Sequence, residues 1–194
     1  MKHLTRMLTI LLTLALLIPC ALAEDTLLDG FYTYGSRFAI SYPGVWEVET
    51  DEESNTEEEI FAGMLYSPED TGLNVEIYLY HYADWSDVNL MTMSAESVKA
   101  YGDMLLEDHQ AYTPELCGYA YTTRDGIPFV ILYETDDLGP VFVADTMLDG
   151  WNVVIYGYAY TDGTYSAARP LTDADYALFQ SIIESYAPLA APAD

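Results

Sequence analysis

The sequence predicts an α+β domain: an antiparallel β-sheet with an N-terminal hairpin, a middle helix and a C-terminal helix packed on its faces. Three observations carry this. Short alternating segments follow one another with glycine-bearing links, as antiparallel neighbours require. Only two segments, Ser94–His109 and Thr172–Ala187, show helical spacing with a capping residue in front. The strands come in runs rather than alternating with helices, which argues against a parallel βαβ sheet.

The elements follow in order. Phe31–Tyr34 forms a first strand. Phe38, Ile40 and Tyr42 alternate with Ala39 and Ser41, so the second strand has one apolar face. Pro43-Gly44 supplies a turn, with proline fixing φ and glycine accepting positive φ; Val45–Val48, anchored by Trp46, is expected to return as the hairpin partner. Seven carboxylates between Glu49 and Glu59 repel one another and make that stretch a solvated loop. Ile60–Tyr66 and Leu73–Tyr82 resume strand spacing. Ser94 caps a helix whose stripe is Val98, Tyr101, Leu105 and His109. A meander of Leu116–Thr123, Ile127–Thr135, Val141–Leu148 and Trp151–Tyr160 follows on short links. Thr172 and Asp175 form a capping box for the last helix, its stripe is Tyr176, Phe179, Ile182, Ile183 and Tyr186, and Pro188 is expected to stop it.

The N-terminus predicts export. Lys2 and Arg6 precede an apolar run from Met7 to Ile18, and Ala21-Leu22-Ala23 offers a cleavage site after Ala23. The organisation expected is a signal peptide over 1–23, a linker over 24–30, one domain over 31–188 and a frayed tail over 189–194. The alternative is a lipoprotein anchored through Cys20, but Pro19 stands where such a site wants a small residue. Cleavage leaves Cys117 as the only cysteine, so no intrachain disulfide can form. It also leaves four bases against 32 acids, a net charge of −28. Such a surface repels nucleic acid and anionic membranes; it favours basic protein patches, cationic peptides and divalent cations.

The order of elements, with Phe38-x-Ile40-x-Tyr42-Pro43-x-x-Trp46 early and Phe179…Ile182-Ile183…Tyr186 late, resembles the PsbP-like α/β/α sandwich over roughly Phe31 to Pro188. The resemblance implies a largely non-catalytic protein that binds other proteins, such as a photosystem or a small GTPase in known members. It brings no catalytic residues with it. The acidic loop and the abundance of tyrosine depart from that pattern.

Little in the sequence supports catalysis. Cys117 is the one thiol, with His81 and His109 the mature histidines. Leu116–Tyr119 reads as mid-strand, where a free cysteine behaves as a small hydrophobe. No Gly-x-Ser-x-Gly or Ser-x-x-Lys occurs. A small secreted hydrolase using carboxylates or Cys117 is the alternative. Calcium is the one metal with any support, through Asp70, Asn74 and Glu76 around Gly72, though no EF-hand spacing is present. No other cofactor is implied; a calcium-responsive surface protein is the third reading.

Tyrosine is the outstanding feature, with 18 in the chain. Tyr78, Tyr80 and Tyr82 alternate with Ile77, Leu79 and His81; Tyr119 and Tyr121 flank Ala120; Tyr156, Tyr158 and Tyr160 alternate with Gly157 and Ala159. Period-two side chains share a face, so these eight rings are expected on one side of one sheet. Gly118, Ala120, Gly157 and Ala159 on the other side would admit the last helix at close range. The functional expectation is a secreted, non-catalytic binding or accessory protein that engages a protein or glycan through this face. In an exporting host the released product should begin at Glu24. Intact mass and N-terminal sequencing check this; a product starting at Met1, or a lipid-modified Cys20, would contradict it.

Overall fold

Ten strands and two helices build the domain in the computed structural model, which describes residues 27–189 apart from 70, 115, 117, 125 and 162–166. The expected signal peptide, Cys117 and Asp70 therefore lie outside the described residues. Strands β1 (Gly30–Tyr34) and β2 (Phe38–Tyr42) form an antiparallel hairpin. The chain then crosses to a seven-stranded sheet containing β3 (Glu47–Glu49), β4 (Glu59–Tyr66) and β5 (Leu73–His81). Helix α1 (Ala95–Gln110) follows, then β6 (Ala120–Arg124), β7 (Ile127–Thr135), β8 (Pro140–Leu148) and β9 (Trp151–Ala159). Helix α2 (Asp173–Glu184) and a two-residue β10 (Ala187–Pro188) end the fold.

The large sheet runs β3-β4-β5-β9-β8-β7-β6, antiparallel throughout. The expected meander is present from β6 to β9. One core lies between this sheet, α2 and the small sheet β1-β2-β10, and includes Phe38, Ile40, Ile77, Phe129, Ile155, Phe179 and Ile182. A second lies between the opposite face and α1, with Tyr101, Leu105, Val130, Val143 and Tyr158. Both faces are thus roofed, at least in part, and the strands that cross the middle are apolar on both sides.

Both helices start where their caps predict. Ser94 Oγ accepts from Ser97 N–H, and Thr172 and Asp175 form the reciprocal capping box. Arg169 then pairs with Asp175 through two bonds of 2.8 Å. Burial alone would raise the Asp175 carboxyl, but the bonds from Arg169 and Thr172 prevail and hold it down at about 2. Gly157 explains how α2 comes so near: a Cβ there would sit 2.6 Å from the Phe179 ring.

Three expectations are corrected. Phe38–Tyr42 does not pair with Val45–Val48. The turn at Gly44 has the positive φ expected (68°), yet the chain leaves it for another sheet, and the hairpin is β1–β2 instead. Trp46 is buried beside Tyr42, rings 5.5 Å apart, so it anchors the crossover. The strand expected from Leu116 begins only at Ala120, so Leu116 and Tyr119 belong to the approach rather than to the strand. Pro188 does not stop the last helix, which ends at Glu184; Ala187 and Pro188 go on to pair with β2. Ser185 locks this end by accepting from Ser41 N–H at 2.7 Å.

Replacing Gly157 by Ala should destabilise the fold by about 1–3 kcal/mol, because Phe179 must move within a packed core. Chemical denaturation of the variant measures this; an unchanged midpoint would show that α2 is not held at that distance.

Candidate functional site: a half-roofed tyrosine face

Pairing register settles which residues share a face. One row across the sheet reads Tyr121, Val130, Asp145, Val154, Tyr78 and Phe61. The next includes Leu132, Val143, Tyr156, Glu76 and Met64. Period-two spacing adds Tyr80, Tyr119 and Tyr158 to the same side, which is the side of α1. Tyr160 lies in the same core. Tyr82 departs from the expectation: β5 ends at His81, and Tyr82 opens a short 3-10 turn, Ala83–Trp85, with its ring 47% exposed.

The rings form a chain of contacts. Phe61 to Tyr78 is 5.2 Å between centroids, Tyr78 to Tyr80 6.1 Å, and Tyr78 to Tyr156 5.8 Å. Tyr156 to Tyr158 and Tyr158 to Tyr160 continue at 6.2 and 6.1 Å, nearly coplanar. Such offset stacks add to what area burial alone contributes.

One helix cannot cover seven strands. Strand spacing gives a sheet about 29 Å across, against a helix about 10 Å in diameter. Helix α1 lies over the β6–β9 side. Tyr158 and Tyr160 are buried there, at 5% and 1% exposure. Tyr119 and Tyr121 lean on the helix from the sheet edge: Tyr119 donates to Asp103 Oδ1 at 2.6 Å and Tyr121 donates to the Val98 carbonyl at 3.3 Å. Gly102 makes room, since a Cβ there would stand 2.8 Å from the Tyr119 ring. Tyr78, Tyr80, Tyr156, Phe61 and Tyr66 lie towards the other side and stay half-buried.

Carboxylates rim that open half. Tyr78 donates to Glu76 Oε2 at 3.3 Å and Tyr66 to Glu49 Oε2 at 2.7 Å, while on the roofed side Tyr158 donates to Asp136 Oδ2 at 2.6 Å. Burial and neighbouring carboxylates push the Tyr78 phenol well above its usual range and the Tyr80 phenol up to about 12. The hydroxyls therefore stay protonated at any ordinary pH and point at acids, which leaves neutral ring faces set among negative charge. Glu76 itself is raised by burial, against the lowering effect of Tyr78.

Of the residues weighed for calcium, Asn74 and Glu76 are described. Asn74 is buried and its carboxamide oxygen accepts from Ser67 N–H at 2.8 Å, while Glu76 faces Tyr78. Among the described residues no group of three or more His, Cys, Asp or Glu side chains is gathered as a metal site would need. His109 Nδ1 lies 2.7 Å from Glu134 Oε2, a contact that raises the imidazole.

Sequence reasoning missed a buried polar cluster beneath α1. Tyr101 donates its hydroxyl to Asp145 Oδ1, and Asn152 Nδ2 reaches the same oxygen at 2.8 Å. Asp145 is 4% exposed, and burial lifts its carboxyl to about 6 despite those two donors. A signal was present: Asp145 interrupts Val141-Phe142-Val143-Ala144, a run apolar on both faces, so it could not reach water from either side. No protein-family model matches the chain, and no curated protein matches it.

Asp145 gives a pH prediction. Its folded pKa of about 6 lies above the ordinary 3.8, so its contribution to stability is complete below about pH 4 and is lost as pH rises through 6. The loss is of order 3 kcal/mol. Asp175 acts at the other end, its contribution being lost only as pH falls from 3.8 through about 2. Thermal melts should show falling stability from about pH 4 to 7, with a shallower fall in Asp145→Asn. Equal slopes would contradict the buried carboxyl.

Proposed function

We propose that this is a secreted, non-catalytic binding or accessory protein of PsbP-like architecture, which engages a protein or glycan partner through the open half of its tyrosine face. The observation that carries the reading is the set of half-buried rings, Phe61, Tyr78, Tyr80 and Tyr156, standing together on the α1 face of the sheet, in the half that α1 does not cover. Rigid rings with few torsions lose little entropy on contact, and their faces suit both sugar rings and peptide side chains. Export fits the N-terminal pattern of charge, apolar run and small residues. The net charge directs the face towards neutral or cationic partners.

The test is a panel of glycans and peptides, read by calorimetry against the wild type and two variants. Tyr78→Ala with Tyr156→Ala removes two rings of the face; Tyr133→Ala removes an exposed ring that register places on the opposite side. The first should weaken the best ligand at least tenfold, as expected if each stacked ring contributes about 1 kcal/mol. The second should leave affinity unchanged. Equal losses in both, or no binding from any member of the panel, would overturn the reading.

A further inference from the structure

Next to the open tyrosine face, a second aromatic feature is built from parts that the sheet does not supply. A pocket of about 220 Å³ lies between α1 and the turn after β5, walled by Tyr82, Trp85 and Tyr101, with Asp108 and Asn152 among its lining residues. Trp85 and Tyr101 meet edge to face, centroids 6.4 Å apart and planes at 70°, making two adjoining walls of a box. A larger recess of about 460 Å³ adjoins it, sharing Tyr82 and Trp85 and adding Tyr80, His81, Glu58, Glu59 and Asp84. No lysine or arginine lines either one.

Two of the polar residues that line the pocket belong to the buried cluster around Asp145. Tyr101 commits its proton to Asp145, and Asn152 Nδ2 donates to Asp145 Oδ1 and to the Thr146 carbonyl at 3.1 Å. Among the described residues no ion pair within 4 Å reaches Asp145; the cation it feels is His109, which pairs directly with Glu134 instead. A phenol that donates to a carboxylate has a more electron-rich ring, and ring faces enclosing a small volume attract an organic cation.

We propose that the Tyr82–Trp85–Tyr101 box is a cage for the ammonium group of a basic polypeptide, whose chain runs on through the Glu58–Asp84 recess towards Tyr80. This rests on the reading of the tyrosine face as a docking surface and names the partner's chemistry. The commitment to a polypeptide follows from the two adjoining cavities, which share the Tyr82 and Trp85 walls, one sized for a single head group and the next for a continuing chain with further positive charge. Charge complementarity is strong: three acids line the recess and Asp108 the box, on a protein of formal net charge −26.

Calorimetry with pentalysine and with tetramethylammonium chloride, each against sodium chloride at matched ionic strength, tests this. Pentalysine should bind saturably and at least tenfold more tightly than tetramethylammonium. Tyr82→Ala, which removes an exposed ring and leaves the core intact, should weaken both at least fivefold; Trp85→Phe should weaken them less than Trp85→Ala. Binding of neither probe beyond the salt control would overturn the cage. So would a pentalysine affinity untouched by Tyr82→Ala but lost in the Tyr78→Ala, Tyr156→Ala protein, which keeps the cage and lacks two rings of the sheet face. Equal affinities for the two probes would overturn the polypeptide assignment in favour of a free organic ammonium ion.

Discussion

The alternation of β9 is the constraint on which the rest of the structure depends. Its even residues, Tyr156 and Tyr158, face α1, and its odd residues, Ile155, Gly157 and Ala159, face α2 and the small sheet. The strand lies centrally, hydrogen-bonded to β5 and β8 along its length. A slip of one residue would put tyrosine rings where Phe179 needs the space above Gly157, and would strip the ring ladder from the other side. Register in β9 therefore fixes both the close approach of α2 and the existence of a tyrosine face.

Unequal coverage of the two faces then turns a packing pattern into a surface. The α2 side is closed by a helix plus three strands, tied on by the Ser185–Ser41 bonds and by Arg37, whose guanidinium lies 4.1 Å over Trp151. Among the described residues the α1 side has one 16-residue helix, the turn that carries Tyr82 and Trp85, and Leu90 and Leu116 from the flanking loops. Tyrosine suits a strand that passes from roofed to open ground, because its ring packs like phenylalanine while its hydroxyl finds a carboxylate at the rim. The buried Asp145–Tyr101–Asn152 group sits under the helix itself, where it fixes α1 over β8 and β9 at the cost of a desolvated acid.

Much of this was legible in the sequence because the signals were local. Period-two spacing located nearly every strand, Ser94 and Thr172 located both helix starts, and the small residues at 157 and 159 pointed to α2. What failed required long-range information. Pro43-Gly44 marks a turn, but a turn does not say which sheet the chain enters next, and the hairpin lies one strand earlier, at β1–β2. Pro188 cannot extend a helix, yet the helix had already ended and the proline joins β2 as an edge residue. Within the site, parity gave the shared side of the rings but not their coverage, which depends on the width of α1 against the width of the sheet. The Tyr82–Trp85–Tyr101 box draws on a turn and a helix far apart in sequence, and no spacing rule joins them.

Hydroxyl-radical footprinting of the free protein, read ring by ring by mass spectrometry, addresses the half-roofed face most directly. The account predicts oxidation of Tyr78, Tyr80, Tyr82 and Tyr156, with Tyr158 and Tyr160 protected. Uniform labelling along β9, or protection of Tyr78 and Tyr80 as deep as that of Tyr160, would mean that the face has no open half.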